Sequence, residues 1–266
     1  MVLELLPDGF VRTLSLSFGL LVGSFMNVVV ARLPHDLSVV RPRSRCPGCG
    51  KQIAWYDNVP VLSFLLLRGR CRSCKSSISI RYPVIELLTA LLFFAVVSRF
   101  GVTWLLLIRD WPFVAMLVAI TFIDLEHRII PDELSLGGLV LGLLTAHWVP
   151  GLGLTSSLIG AAVGYGFFWL LSWGYFKAKG RMGLGGGDVK LLAMLGAFLG
   201  PMAVFHVILI SSLLGSVIGI SYAAWLKYRG QSESLMGVAI PFGPFLVVAA
   251  LYVYLLGDVL GLPLQI

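Results

Sequence analysis

Charged residues are scarce in this sequence. Only 12% of its 266 residues are Asp, Glu, Lys or Arg, whereas 58% are hydrophobic and the mean hydropathy is +0.93. Several apolar runs of about 20 residues exclude an ordinary soluble domain, because such a run spans the hydrocarbon core of a bilayer. The start MVLELLPDGF has no basic residues, so it does not look like a cleaved signal peptide. We therefore expect a polytopic membrane protein.

Histidine and cysteine are also rare, with four of each. The histidines are scattered and form no HExxH motif, which disfavours catalytic zinc. The cysteines form two CxxC pairs, a pattern that favours a metal site over disulfides, and disulfides are further disfavoured in a reducing cytosol. Four thiolates complete tetrahedral zinc and leave no position for water, so we predict one structural zinc ion. The predicted ligands are Cys46, Cys49, Cys71 and Cys74.

The basic residues are concentrated between the apolar runs. Residues 32–82 contain ten of the twenty Lys and Arg residues, and the net charge of the chain is +7. The positive-inside rule explains this clustering without a nucleic acid partner and places residues 32–82 in the cytoplasm. We expect a first helix over 1–31, a cytoplasmic four-cysteine zinc domain over 32–82 and a seven-helix core over 83–266.

Eight spans are predicted in an all-α fold, and the sixth is short. Small residues recur four positions apart within the spans, a spacing that lets helix backbones approach closely. These pairs are Gly138 with Gly142, Gly160 with Gly164, Gly196 with Gly200, and Gly215 with Gly219. The spans are expected near 11–31, 83–99, 103–123, 133–149, 154–176, 188–200, 203–226 and 238–257.

Two carboxylates at the ends of apolar runs need an explanation, because polar groups near the lipid boundary are costly. Asp188 follows a glycine-rich loop and begins an apolar run, where it could act as an N-cap. Asp124 ends an apolar run, where the helix dipole opposes a negative charge. Both fall on the cytoplasmic side of the predicted topology. We expect them to form a catalytic pair that activates water.

Other polar residues near these positions leave alternatives open. Lys190 could tune the pair electrostatically, contact substrate, or only extend to the membrane interface. Glu86, one turn into the second span, could pair with Arg81 or Lys190, or join the site. Asp132 follows a proline and is typical of a helix start. Asn27, in the first span, is expected to hydrogen-bond a neighbouring helix.

Several motifs in one order resemble those of the type IV prepilin leader peptidases, also called prepilin peptidase/N-methyltransferases. The first motif is GSFMNVVVARLP, and the segment after it contains CPGC, WYDNVP and LRGRCRSC, in which LRGRC and CRSC share Cys71. RYPVIELLTA, DLEHRIIPDELSL and GLGGGDVKLLAMLGAFLG then follow. The resemblance covers nearly the whole chain and extends to the wider GxGD group of membrane aspartic proteases.

The resemblance implies that Asp124 and Asp188 are the catalytic aspartates. Gly185, Gly186 and Gly187 precede Asp188, and we expect this loop to be flexible enough to approach an extended substrate backbone. The implied activity removes a short basic leader from prepilins or pseudopilins at the cytoplasmic face of the inner membrane. The new N-terminus is then methylated with S-adenosylmethionine, whose binding site the sequence does not locate.

Two other functions fit parts of the sequence. A proton-coupled carrier uses intramembrane acids, but places them near the midplane and often shows repeated halves. A zinc-stabilised membrane scaffold would carry out no chemistry, and would keep its function when Asp124 and Asp188 become Asn. The oligomeric state is not predicted, and the membrane lipids are the expected environment of the chain.

Overall fold

The fold is almost entirely helical. A computed structural model describes residues 7–180, 183–229 and 240–257, and within these ranges β-structure is limited to the isolated bridges Arg45 with Gln52 and Arg70 with Ser77. The N-terminal residues 1–6, the basic residue Arg181 and the expected start of the last span at 238 lie outside the described residues.

Eight helices of fourteen residues or more lie in the described ranges, close to the predicted spans. This result confirms the predicted all-helical membrane fold, with the cysteine segment inserted after the first helix. In chain order the helices are α1 (Asp8–Arg32), the short α2 (Leu62–Leu66), α3 (Arg81–Phe100), α4 (Trp111–His127), α5 (Asp132–Thr145), α6 (Gly153–Lys179), α7 (Gly186–Leu199), α8 (Pro201–Tyr228) and α9 (Gly243–Leu256). A π-helix, Leu106–Asp110, leads directly into α4.

The helices differ in length. Five helical stretches are long and apolar enough to cross a membrane: Gly9–His35, Arg81–Phe100, Leu106–His127, Gly153–Lys179 and Pro201–Tyr228. In contrast, α5, α7 and α9 have 14 residues each. At about 1.5 Å per residue such a helix is about 21 Å long, less than the roughly 30 Å hydrocarbon core. The predicted shortness of the sixth span is confirmed, and α5 and α9 share it.

The chain divides into two compact units, Met1–Ala119 and Ile120–Ile266. In the first unit α1 packs along α3, because Gly23 has no side chain to separate them: a Cβ there would lie 2.7 Å from the Cα of Glu86. The buried Asn27 amide donates a 3.1 Å hydrogen bond to the Tyr82 carbonyl. The predicted bond from Asn27 to a neighbouring helix is confirmed.

The second unit is built around α7, which contacts α5, α6, α8 and α9. Its residues from 189 to 199 are buried, except Lys190. The backbones of α6 and α7 meet at Gly160 and Gly196, and the Ser157 hydroxyl donates a 2.6 Å hydrogen bond to the Ala197 carbonyl between the same helices. The short α7 is therefore an internal helix from Val189 onward, and its first turn is the less buried end.

The glycine pairs do not all serve the same purpose. Gly138 and Gly142 of α5 leave room for Met194 and Phe198, and Gly164 meets the backbone of Leu192. Their predicted packing role is confirmed. Gly200 instead ends α7 with φ at 81°, a conformation that favours glycine. A Cβ on Gly215 or Gly219 would lie at an ordinary contact distance, 3.4 Å from the side chain of Phe242 or 3.7 Å from that of Ile240.

Candidate aspartate site and four-cysteine site

Asp124 is buried in the last turn of α4, with 5% of its surface exposed. The helix ends just beyond it, because Arg128 adopts a left-handed conformation and donates its N–H to the Asp124 carbonyl at 2.9 Å. The Oδ2 atom of Asp124 accepts a 2.9 Å hydrogen bond from the N–H of Gly243, the first residue of α9. The positive dipole at the N-terminus of α9 thus offsets the unfavourable effect of the α4 dipole on a carboxylate at its C-terminus.

Asp188 is the third residue of α7, and the N-cap of this helix is Gly185. The N-cap interpretation of Asp188 is therefore wrong, because the helix begins two residues earlier than expected. A carboxylate in the first turn still interacts favourably with the helix dipole. The Asp188 side chain lines the cavity in front of the helix.

Asp124 and Asp188 line one cavity of about 310 Å³. The cavity also brings together four of the predicted supporting residues, the three glycines and Lys190. Its complete lining is Asp124, Arg128, Ile129, Ile130, Asp132, Gly185, Gly186, Gly187, Asp188 and Lys190. All of these residues belong to the second unit, so this site is formed by the end of α4, the loop after it and the starts of α5 and α7.

The three glycines before Asp188 differ in how closely they are packed. None of them has a positive φ. A Cβ on Gly187 would lie 2.9 Å from the Cβ of Ile130, and one on Gly185 would lie 3.2 Å from the Asp188 carboxylate, whereas Gly186 has open space around it. Gly187 is therefore the position where a side chain would push the loops of the two aspartates apart.

Lys190 forms an ion pair with Asp132 between α7 and α5. Its Nζ lies 2.7 and 2.8 Å from the two carboxylate oxygens. The predicted helix start at Asp132 is confirmed, but the N-cap is Pro131 and the Asp132 side chain binds Lys190. Because 35% of the Lys190 side chain and 56% of that of Asp132 are exposed, the pair contributes little to stability.

Glu86 lies in the first unit and outside the lining of this cavity. Its buried carboxylate accepts a 2.7 Å hydrogen bond from the N–H of Val61, a residue with φ at 59°. Glu86 and Lys190 therefore have different partners. This hydrogen bond attaches the loop that precedes α2 to helix α3.

The four cysteines converge as their spacing predicts. One ligand atom from each of Cys46, Cys49, Cys71 and Cys74 lies within 4.8 Å of all the others. None of the four is in a disulfide in the structure. Hydrogen bonds, the largest from the Ser76 hydroxyl, lower the pKa of the Cys46 thiol to about 6, which favours the thiolate that binds metal.

Each CxxC pair is held by the same backbone turn. Cys46 donates its N–H to the Lys51 carbonyl, and Cys71 donates to the Ser76 carbonyl, both at 2.9 Å. Gly50 and Lys75 occupy equivalent places, with φ at 68° and 60°. The two turns present their sulfur atoms to a common centre, an arrangement suited to a tetrahedral metal ion with no free position.

An ion pair connects the second cysteine turn to the segment between the turns. Arg72 binds both carboxylate oxygens of Asp57, with its Nε 2.9 Å from each. The guanidinium of Arg72 lowers the pKa of the Asp57 carboxyl. It also lies over the ring of Tyr56, 5.5 Å from the centroid. These contacts order the polar segment where it has little apolar core.

Sequence reasoning missed Arg128 and Gly243. Arg128 ends α4 and lines the cavity. Gly243 lies 119 residues from Asp124 in the sequence. Its only local signal is the cluster IPFGPF before the last apolar run, because glycine and proline at a helix start often have a structural reason.

The fold and the two sites define a helical membrane protein with a paired-carboxylate cavity and a four-cysteine segment. Two family models match the chain: "Bacterial Peptidase A24 N-terminal domain" over residues 17–100 and "Type IV leader peptidase family" over residues 111–220. The chain belongs to the type IV leader peptidase family, and its apolar helices make it a multi-pass inner membrane protein.

Several curated relatives are called prepilin leader peptidase/N-methyltransferase. The protein of Myxococcus xanthus is 49% identical over 76% of this chain and 60% of its own length. The proteins of Pseudomonas putida and Pseudomonas aeruginosa are each 40% identical, over 92% and 90% of this chain and 91% and 88% of their own lengths. No solved structure gives a significant match.

Proposed function

We propose that this protein is a membrane aspartic endopeptidase that removes the basic leader of prepilins or pseudopilins and then N-methylates the new N-terminus. The observation that carries the proposal is the cavity shared by Asp124 and Asp188. Relatives that match about nine-tenths of the chain bear the name of this two-step activity. Two carboxylates that line one water-accessible cavity are the arrangement that aspartic hydrolases use.

The cleavage step follows from a pair with one ionised and one protonated carboxyl. The ionised carboxylate takes a proton from a water molecule as the oxygen attacks the scissile carbonyl carbon. The carbon–nitrogen bond then breaks, and the protonated carboxyl gives its proton to the leaving amine. The products are the leader with a free carboxylate and the mature chain with a free N-terminal amine.

The cytoplasmic face is the proposed location of this reaction. A prepilin presents its basic leader to the cytoplasm and its apolar helix to the bilayer, so its scissile bond lies at the boundary. The concentration of Lys and Arg in residues 32–82 supports the same orientation. We propose residues 32–82 as a separate cytoplasmic domain between the first helix and the remaining membrane core.

Methylation uses the amine that cleavage releases. S-adenosylmethionine, when bound, supplies a methyl group that an unprotonated amine can attack. The name of the relatives supports this second activity.

The metal we propose is one structural zinc ion on Cys46, Cys49, Cys71 and Cys74. The mutual approach of four sulfur ligands within 4.8 Å fits a tetrahedral thiolate site. With four protein ligands the ion has no position for substrate, so its role is to hold the polar segment together.

The proposal is tested with purified wild-type protein in detergent and a synthetic prepilin. We expect a mass loss equal to the leader, and a further gain of one methyl group only when S-adenosylmethionine is added. A heat-inactivated sample is the control. If folded protein cleaves none of several prepilins and pseudopilins, the endopeptidase proposal fails and the carrier and scaffold functions become the better candidates.

A further inference from the structure

The start of α9 contacts the aspartate site although it lies far from it in sequence. Gly243 is the first residue of this helix, and its N–H donates a buried 2.9 Å hydrogen bond to Oδ2 of Asp124. The matched family model ends at residue 220, so Gly243 lies outside it.

Gly243 also leaves no room for a side chain. A Cβ built on it would lie 2.6 Å from Oδ2 and 3.2 Å from the carboxyl carbon of Asp124. Real Cβ atoms essentially never approach an oxygen atom that closely. Any other residue at 243 would therefore force the carboxylate of Asp124 or the first turn of α9 to move.

The two oxygens of Asp124 are consequently unequal. In the described part of the chain Oδ2 is held by Gly243, and Oδ1 accepts no hydrogen bond from protein. Since the side chain lines the cavity, the free oxygen is the one that can meet a water molecule. A fixed first oxygen orients the second, and a misplacement of about 1 Å in such a site can cost on the order of a hundredfold in rate.

We propose that Gly243 is a positioning residue of the peptidase site. Its N–H anchors Oδ2 of Asp124, and its missing side chain lets α9 approach closely enough to do so, which leaves Oδ1 as the reactive oxygen. This inference rests on the proposed endopeptidase function. It adds α9 to an active site otherwise formed by α4, α5, α7 and the loops before them.

Two changes at position 243 separate the two parts of the proposal. Gly243→Ala crowds the carboxylate and keeps the N–H. Replacement of Gly243 by glycolic acid in cell-free synthesis turns the amide into an ester, which deletes the N–H without adding bulk. Gly215→Ala is the matched control, because its new methyl group would touch Phe242 and Phe245 at an ordinary 3.4 Å and would not reach Asp124.

Steady-state cleavage of a synthetic prepilin and thermal melting are measured for all four proteins. We expect kcat to fall about tenfold to a hundredfold in both Gly243 variants, with KM within about twofold, because a hydrogen bond to a charged group is lost or displaced. Gly215→Ala should match wild type. A melting temperature close to wild type shows that the loss is not unfolding.

The inference is overturned if wild type cleaves the prepilin and either Gly243 variant does so with unchanged kcat. It is also overturned if the variants raise KM alone, since anchoring Asp124 should act on the chemical step. Failure of wild type itself to cleave would instead contradict the proposed function. The two failures are therefore distinguishable in one experiment.

Discussion

The cysteine segment and the aspartate cavity are held in place by different kinds of contact. Around the cysteines, two copies of the same backbone turn bring four sulfur atoms within 4.8 Å, in a segment with little buried apolar surface. Around the aspartates, order comes from helices that pack closely at glycine residues. The interior helix α7 carries one of the two carboxylates. A metal ion held by the four sulfur atoms would have no free coordination position, whereas the aspartates line an open cavity. In the proposed function, the first region supplies stability and the second supplies the chemistry.

Loss of the metal ligands should have the largest effect on the first region. Cys46→Ser with Cys71→Ser removes one ligand from each turn, and structural zinc supplies roughly 10 to 16 kcal/mol in comparable small sites. We expect metal content to fall from one ion per chain to none, and trypsin to cut rapidly within residues 32–82.

Ser73→Ala is the matched control for this change, because Ser73 lies between two of the ligands and is exposed. It should retain the metal and resist trypsin as wild type does. If the double cysteine variant also keeps its metal and its resistance, the four-cysteine site does not order this segment.

A methyl group at the contact of α6 and α7 should have a smaller effect, confined to the stability of the second region. A Cβ on Gly164 would clash with the backbone of Leu192, whereas Gly166, half a turn away on α6, has nothing within 4 Å. We expect Gly164→Ala to destabilise the protein by about 1 to 3 kcal/mol, as overpacked sites do. Gly166→Ala should leave the protein unchanged or slightly more stable.

Thermal unfolding in a mild detergent, followed by circular dichroism, measures both glycine variants. Equal melting temperatures for the two would contradict the close approach of α6 and α7. Metal content should be the same in both variants, since this contact belongs to the second unit alone.

The smallest expected effect comes from a methyl group beside the cavity. Gly187→Ala would press on Ile130, while Gly186→Ala adds its methyl group to open space. We expect the first to lower kcat for prepilin cleavage by about tenfold through displacement of the loops, and the second to change kcat by less than about threefold. Equal loss in both variants would indicate that loop flexibility matters and that close packing does not.

Features encoded over short stretches of sequence were predictable. Apolar runs located the long helices to within a few residues, and the CxxC spacing identified the four converging cysteines. Asp124 and Asp188 were selected because acids at the ends of apolar runs are costly, and the structure brings them to one cavity. Each of these signals depends on residues that are near each other in the chain.

Features that depend on distant contacts were not predictable from one sequence. The partner of Lys190 is Asp132, 58 residues away, and the partner of Asp124 is Gly243, 119 residues away. The apolar run predicts that the helix starts at Asp188, but α7 begins two residues earlier, at Gly186, with Gly185 as its N-cap. Helix boundaries and tertiary hydrogen bonds are decided by packing, which a hydropathy pattern does not contain.

The central claim is that Asp124 and Asp188 act together on one peptide bond. Its most direct test is leader removal, read by mass spectrometry, for wild type, Asp124→Asn and Asp188→Asn, with Glu126→Gln as the control because Glu126 is exposed and outside the cavity lining. We predict that each aspartate variant is folded and loses cleavage by roughly a hundredfold to ten-thousandfold, whereas the control retains it. Near wild-type cleavage by either aspartate variant would contradict the claim.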